Sequence, residues 1–161
     1  MKKIILVRHG KSSWIYPHLA DHDRPLGERG IRDLPIMGAR LKNKGIIPDL
    51  ILSSTARRAQ DTAKIIAISL QIPESKIQYE SKLYHASADM IAAILKKQDN
   101  EHQTVAIVGH NPGMNEFIYQ MNGELDNLPT SGQFGFTLNT EKWIELKPEW
   151  MKTWFIDYPK K

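Results

Sequence analysis

Three short segments carry most of the residues in this chain that could do chemistry: Arg8-His9-Gly10, Ser54-Thr55-Ala56-Arg57-Arg58 and Gly109-His110-Asn111-Pro112-Gly113. Each follows an apolar run. Guanidinium groups bind phosphoryl oxygens through paired N–H donors and stay charged at any working pH. Imidazole is a competent nucleophile at neutral pH when its second nitrogen is held by a hydrogen bond. Helix N-termini, which Ser54 and Asn111-Pro112 predict, add N–H donors and positive potential. A glycine beside each histidine lets the backbone approach a ligand closely. Brought together, the three segments describe a pocket for a transferring phosphoryl group, working by charge neutralisation and in-line geometry. Taken singly, each has a plain structural explanation: a hydrogen-bonded histidine at a strand end, exposed helix arginines, a turn with a cap. Their joint placement is what points to chemistry.

For the segments to meet, the apolar runs before them must be neighbouring strands. Residues 3–7 are short, continuous and β-branched, as a buried strand is. A polar loop follows, broken by Pro17, Asp21-His22-Asp23, Pro25 and Gly27. Helical spacing over 31–41 (Ile31, Leu34, Gly38, Leu41) predicts a helix stopped by Gly45. Pro35 belongs either to its first turn or to a kink. Residues 49–53 form a second strand, leading through Ser54 as N-cap into a helix that buries Ala56, Ala59, Ala63, Ile66, Ala67 and Leu70. A weaker strand covers 76–80, and Ser87 caps a helix carrying Met90, Ile91, Ile94 and Leu95 inward. Residues 104–108 are the clearest strand. Asn111-Pro112 then opens a helix with Met114, Phe117, Ile118 and Met121. The tail predicts strands at 134–139 and 153–158.

Strands alternating with amphipathic helices imply an α/β fold: a three-layer α/β/α sandwich with a mainly parallel sheet, closed by antiparallel additions at the end. Ligands of such sheets sit beyond the carboxyl ends of the strands, where all three segments fall.

The bulk composition narrows the classes. A chain of 161 residues, 41% apolar and 25% charged, is expected to form one domain, 1–161, with a real core. It has no cysteine, which excludes a disulfide framework, a thiolate nucleophile and a sulfur-ligated metal site. The first apolar run is too short for a signal-peptide core and no stretch is long enough to span a membrane, so a cytoplasmic location is the expectation. The net charge of +4 is spread along the chain, with small pairs at Lys2-Lys3 and Lys160-Lys161 read as surface charge. That pattern argues against nucleic-acid binding and suits attraction of a small anion. His18 and His22 have an i, i+4 spacing that can hold zinc on a helix, but they lie in a proline-flanked loop without a third ligand and read as solvated or locally bonded. His102 reads as surface. Trp14, Trp143, Trp150 and Trp154 read as core or edge packing.

Leu6-Val7-Arg8-His9-Gly10 resembles the Arg-His-Gly signature of the histidine phosphatase (phosphoglycerate mutase-like) superfamily. Ser54-x-x-x-Arg58-Ala59-x-x-Thr62-Ala63 resembles its second motif, and Val108-Gly109-His110 its third. Arg24-Pro25-Leu26 with Gly30, Leu83-Tyr84-His85-Ala86-Ser87 and Gly109-His110-Asn111-Pro112-Gly113 look most like the short phosphohistidine phosphatase (SixA-type) branch. The similarity runs from about residue 3 to Pro129-Thr130-Ser131-Gly132, in the family's order. It implies that His9 is transiently phosphorylated, that Arg8 and Arg58 clamp the phosphoryl oxygens with His110, and that Arg24 joins them from the first loop. Asn111 is a further candidate donor beside its cap role. It implies no metal and no cofactor.

One departure bears on substrate. Larger acid-using members carry a carboxylate where this chain has Leu83-Tyr84-His85. An alkoxide leaving group needs a proton, whereas a phosphorylated imidazole leaves readily across its weaker P–N bond. The missing acid therefore favours a phosphohistidine-bearing protein over a sugar phosphate. His85, and more remotely Asp89, are candidate acids, and a plain loop histidine is the competing reading of His85. Two alternatives stay open: a small-molecule phosphomonoesterase using His85 as acid, and a non-catalytic phosphate-binding module. The oligomeric state is not legible in the sequence, and nothing in it demands an obligate interface.

Overall fold

A computed structural model describes residues 1–161. Its strands are β1 (Lys2–Arg8), β2 (Leu50–Ser53), β3 (Ile77–Tyr79), β4 (Thr104–Gly109), β5 (Gln133–Leu138) and β6 (Met151–Asp157). Its helices are α1 (Glu28–Asn43), α2 (Arg57–Ser69), α3 (Ala88–Lys96) and α4 (Gly113–Gln120). The six strands form one sheet in the order β3-β2-β4-β1-β5-β6. β3, β2, β4 and β1 run parallel, while β5 pairs antiparallel to β1, and β6 antiparallel to β5.

The strands read as unbroken apolar runs because both faces of the sheet are covered. Along β1, Ile4 and Leu6 enter a core with α3 and α4, and Ile5 and Val7 enter a second core with α1 and α2. This is the expected three-layer sandwich. No helix is long and apolar enough to cross a membrane.

Several details differ from the sequence reading. α1 begins three residues earlier than expected, so Gly30 and Leu34 take the inward positions and Ile31 is exposed. Pro35 lies inside α1 on its exposed side, so the helical partner it denies the carbonyl of Ile31 is lost at an exposed turn and not in the core. Gly45 adopts φ 72°, the left-handed stop predicted for it. Lys2 is buried, not a surface charge: its ammonium donates to the carbonyls of Asn100 and His102 at the amino end of the sheet. Trp143 is fully buried as expected, but Trp14 stands in solvent.

Candidate functional site

Because β4 lies between β1 and β2, the three segments singled out in the sequence share one rim. Arg8 is in register with Gly109, and the His9 amide donates to the Gly109 carbonyl at 3.1 Å. Ser54 N donates to Val108 O at 2.9 Å. The His9 and His110 ring centres are 5.1 Å apart. Thr62, on the second turn of α2, ties the rim together: its hydroxyl accepts from Gly10 N (3.0 Å) and donates to Arg58 O (2.7 Å).

His9 is buried, and its Nδ1 lies 2.7 Å from the Gly10 carbonyl. A carbonyl only accepts, so Nδ1 carries the proton and the lone pair resides on Nε2. Burial lowers the imidazole pKa to about 4, with Arg58, Arg8 and Arg24 adding to the effect against the Gly10 hydrogen bond, so the ring is neutral at pH 7. His110 is lowered to about 3, first by burial and then by His9, Arg58 and His85.

The partner of His110 is Ser54, whose Oγ lies 2.8 Å from Nε2. Sequence reasoning made Ser54 a helix cap. In the structure α2 starts after Ala56, and Ser54 Oγ accepts from Ala56 N at 3.1 Å while facing the imidazole. The buried hydroxyl proton then has His110 Nε2 as its acceptor, which puts the ring proton on Nδ1.

The adjacent arginines have different fates. Arg57 has a side chain 61% exposed and pairs with Asp61, whereas that of Arg58 is 5% exposed. Arg58 donates through Nη1 to the carbonyl of Asp21 (2.7 Å) and through Nη2 to its Oδ2 (3.0 Å). Arg24 donates to Ser12 Oγ (2.7 Å) and Asp21 Oδ1 (3.0 Å), and lies over the Trp14 ring, 3.6 Å from its centre. Arg8 Nη1 donates to Leu128 O at 2.9 Å. The Nε atoms of all three arginines, and Nδ1 of His110, are buried without a protein acceptor. Charged donors in that condition are costly unless an anion answers them.

Asn111 does something other than the phosphate contact considered for it. Its Nδ2 donates to Leu128 O (3.0 Å) and Asn127 Oδ1 (3.3 Å), and its Oδ1 accepts from Asn115 N (3.1 Å). Both amide hydrogens are engaged, so Asn111 fixes the loop whose Leu128 carbonyl also holds Arg8. His85 stands exposed at the mouth with φ 55°, its Nε2 4.0 Å from Asp21 Oδ2. Gly113 lets this loop approach: a Cβ there would lie 1.9 Å from the Ala86 carbonyl oxygen. Asp89, on the first turn of α3, is exposed. His22 bonds not locally but across 33 residues, its Nε2 lying 2.9 Å from Thr55 Oγ1.

Two residues of the site were not singled out in the sequence. Asp21 holds both Arg24 and Arg58, and Tyr84 donates to Asp21 Oδ2 at 2.5 Å while its ring centre lies 5.5 Å from that of His110. The hydrogen bond from Tyr84 and those from the two arginines keep the Asp21 carboxyl well below the usual carboxylate range, against its partial burial.

The histidine phosphatase superfamily (branch 1) model matches residues 4–83. An uncharacterized protein of Mycobacterium leprae (strain TN) is 33% identical over 141 residues, 78% of this chain and 83% of that one. A crystal structure of a SixA protein of Agrobacterium tumefaciens, assigned as a phosphohistidine phosphatase, superposes with a TM-score of 0.83 at 28% identity, covering 98% of this chain and 99% of that one. The protein histidine phosphatase SixA complexed with tungstate superposes with a TM-score of 0.82 over 98% of this chain and 97% of that one; its identity of 21% makes this a likeness of fold.

Proposed function

Since the chain belongs to the histidine phosphatase superfamily and is a phosphatase of that family, we propose that it hydrolyses phosphohistidine on a protein through a phosphorylated His9. The observation that carries the reading is the set of four unpartnered donors, Arg8 Nε, Arg24 Nε, Arg58 Nε and His110 Nδ1, belonging to the residues that line the pocket with His9.

In the first half-reaction His9 Nε2 forms a bond to phosphorus in line with the departing group, and the substrate P–N bond breaks. The proton stays on His9 Nδ1, donated to the Gly10 carbonyl, throughout. Arg8, Arg24, Arg58 and His110 face the equatorial oxygens, where charge spreads in the transition state. In the second half-reaction water attacks phosphorus, the P–Nε2 bond breaks, and inorganic phosphate leaves with His9 neutral again. No metal and no cofactor has a part in either step.

The absence of a carboxylic acid at His85 supports a phosphoramidate as substrate. The second reading, a small-molecule phosphomonoesterase, is favoured by the position of His85 at the mouth, where it could protonate an alkoxide. Incubation with a phosphohistidine-bearing carrier protein should leave acid-labile phosphate on the enzyme, at His9 and absent from His9→Ala. Faster turnover of sugar phosphates than of phosphohistidine would select the second reading. Full activity of His9→Ala would remove both, and retained phosphate binding without turnover by the unaltered protein would mark a binding module.

A further inference from the structure

Resting on the phosphohistidine reading above, we infer that Asp21 and Tyr84 form the leaving-group side of the pocket, where the Asp21 carboxylate accepts a hydrogen bond from the ring N–H of the departing imidazole.

Asp21 reaches the site from the first loop. Its Oδ1 accepts from Arg24, and its Oδ2 from Arg58 and Tyr84. An ionised carboxylate offers about four lone-pair positions, so one remains on Oδ1. The side chains of Arg24 and Arg58 are 9% and 5% exposed, but that of Asp21 is 44% exposed. The arginines therefore lie deep, and the carboxylate faces the mouth through which a substrate side chain passes.

The chemistry separates leaving groups. An alkoxide requires a proton, and a carboxylate held ionised by two guanidiniums and a phenol has none to give. Phosphohistidine has a different requirement. When the ring nitrogen that does not carry phosphorus is protonated, breaking the P–N bond sends its electron pair to the other nitrogen, and the ring departs as neutral imidazole. The proton stays on the distal nitrogen, Asp21 stays ionised, and the new bond forms at His9 Nε2. A carboxylate beside that distal N–H stabilises the protonated, reactive form of the substrate.

The surroundings suit a planar heterocycle. The Tyr84 ring centre lies 4.0 Å from that of His85, 4.8 Å from His22 and 5.5 Å from His110, a continuous wall of rings. A cleft of about 230 Å³, lined by residues that include His85, Ser87, His110 and Asn111, opens at the His85 and His110 end of this wall. The protein's own imidazole at His85 already lies 4.0 Å from the carboxylate. The groups facing Asp21 are Arg24, Arg58, Tyr84 and His85, and its charge also reaches His110.

The test compares Asp21→Asn with the unaltered protein on a phosphohistidine-bearing protein and on p-nitrophenyl phosphate, whose phenolate leaves without a proton. Both rates should fall through looser arginines, but the phosphohistidine kcat/KM should fall about tenfold further, the scale of one charge-assisted hydrogen bond. The alkaline limb of the phosphohistidine profile should move roughly one pH unit lower, and that of p-nitrophenyl phosphate should stay in place. Equal loss on both substrates, or no loss on either, overturns the leaving-group role and leaves the phosphohistidine reading standing. An unaltered protein that turns over p-nitrophenyl phosphate and not phosphohistidine overturns both. Tyr84→Phe, which keeps the ring, should retain more of the selectivity than Tyr84→Ala, and the reverse order counts against the ring wall.

Discussion

The Nδ1 atom of His9 is bonded to the carbonyl of Gly10, its own neighbour in the chain, at 2.7 Å. One backbone group thus sets the tautomer of the proposed nucleophile. With its pKa lowered to about 4, His9 should remain neutral and protonated at Nδ1 at pH 6, where an ordinary histidine near 6.5 is mostly charged. Nitrogen-15 NMR of the imidazole reads this directly. An imidazolium signal at pH 6 would contradict it.

The same burial makes stability depend on pH. His9 and His110 titrate near 6.5 when unfolded and near 4 and 3 when folded. As pH falls below 6.5 the unfolded chain takes up protons that the folded one refuses, so stability declines towards pH 4 and is complete above 6.5. The pair should account for several kcal/mol, on the order of 6, between pH 7 and 4, since each refused proton costs about 1.4 kcal/mol for every pH unit below its unfolded value. Denaturant midpoints measured across that window should fall less steeply in His110→Gln.

Arg58 and Arg57 offer a paired control. Arg58→Ala should lower kcat/KM by about 10²- to 10³-fold, as removal of a donor to a transition-state oxyanion does. Arg58→Lys should recover little, since one ammonium cannot reach Asp21 twice and a phosphoryl oxygen as well. Arg57→Ala, which removes only an exposed pair with Asp61, should stay within about twofold of the parent rate. Steady-state kinetics on all three variants decides the point.

Ser54→Ala should strand both His110 Nε2 and the amide of Ala56. A stability loss of about 1–3 kcal/mol is expected from the unpaired buried groups, with a lower kcat from the freed tautomer. Ser54→Thr keeps the hydroxyl and should restore kcat. Recovery of stability without recovery of kcat would limit Ser54 to packing.

Trp14 is 67% exposed, yet its ring lies under the Arg24 guanidinium. Trp14→Ala should raise KM by a few-fold, the worth of a partly exposed cation–π contact of about 1 kcal/mol, with a smaller change in kcat. A change confined to kcat would mean that Arg24 is oriented by Ser12 and Asp21 alone.

The parts of the site legible in the sequence were those fixed by strand ends. Short apolar runs predict β1, β2 and β4, and topology then commits the residue after each to the rim. Arg58 was separable from Arg57 by motif alone, and burial now supplies the reason. What escaped was whatever depends on the first loop folding back. Asp21 meets Arg58 and Tyr84 across 37 and 63 residues, and no periodicity reports such a contact. Ser54 misled because serine before a helix caps more often than it orients an imidazole. Trp14 misled because its ring covers a charge and not the core.

The register of β1 carries a consequence for how the protein forms. Lys3 pairs with Thr104 and Thr137, so the strand that presents His9 finds its hydrogen-bonding neighbours about a hundred residues and more downstream. Closing loops of that span is slow, because the entropy is lost before the contacts reward it. On the ribosome the first strand must therefore wait, unpaired, until β4 and β5 have emerged. The pocket is among the last parts of the molecule to exist: a nascent chain cut short before β4 holds His9 and Arg58 with no strand between them to bring them together, and lacks His110 altogether.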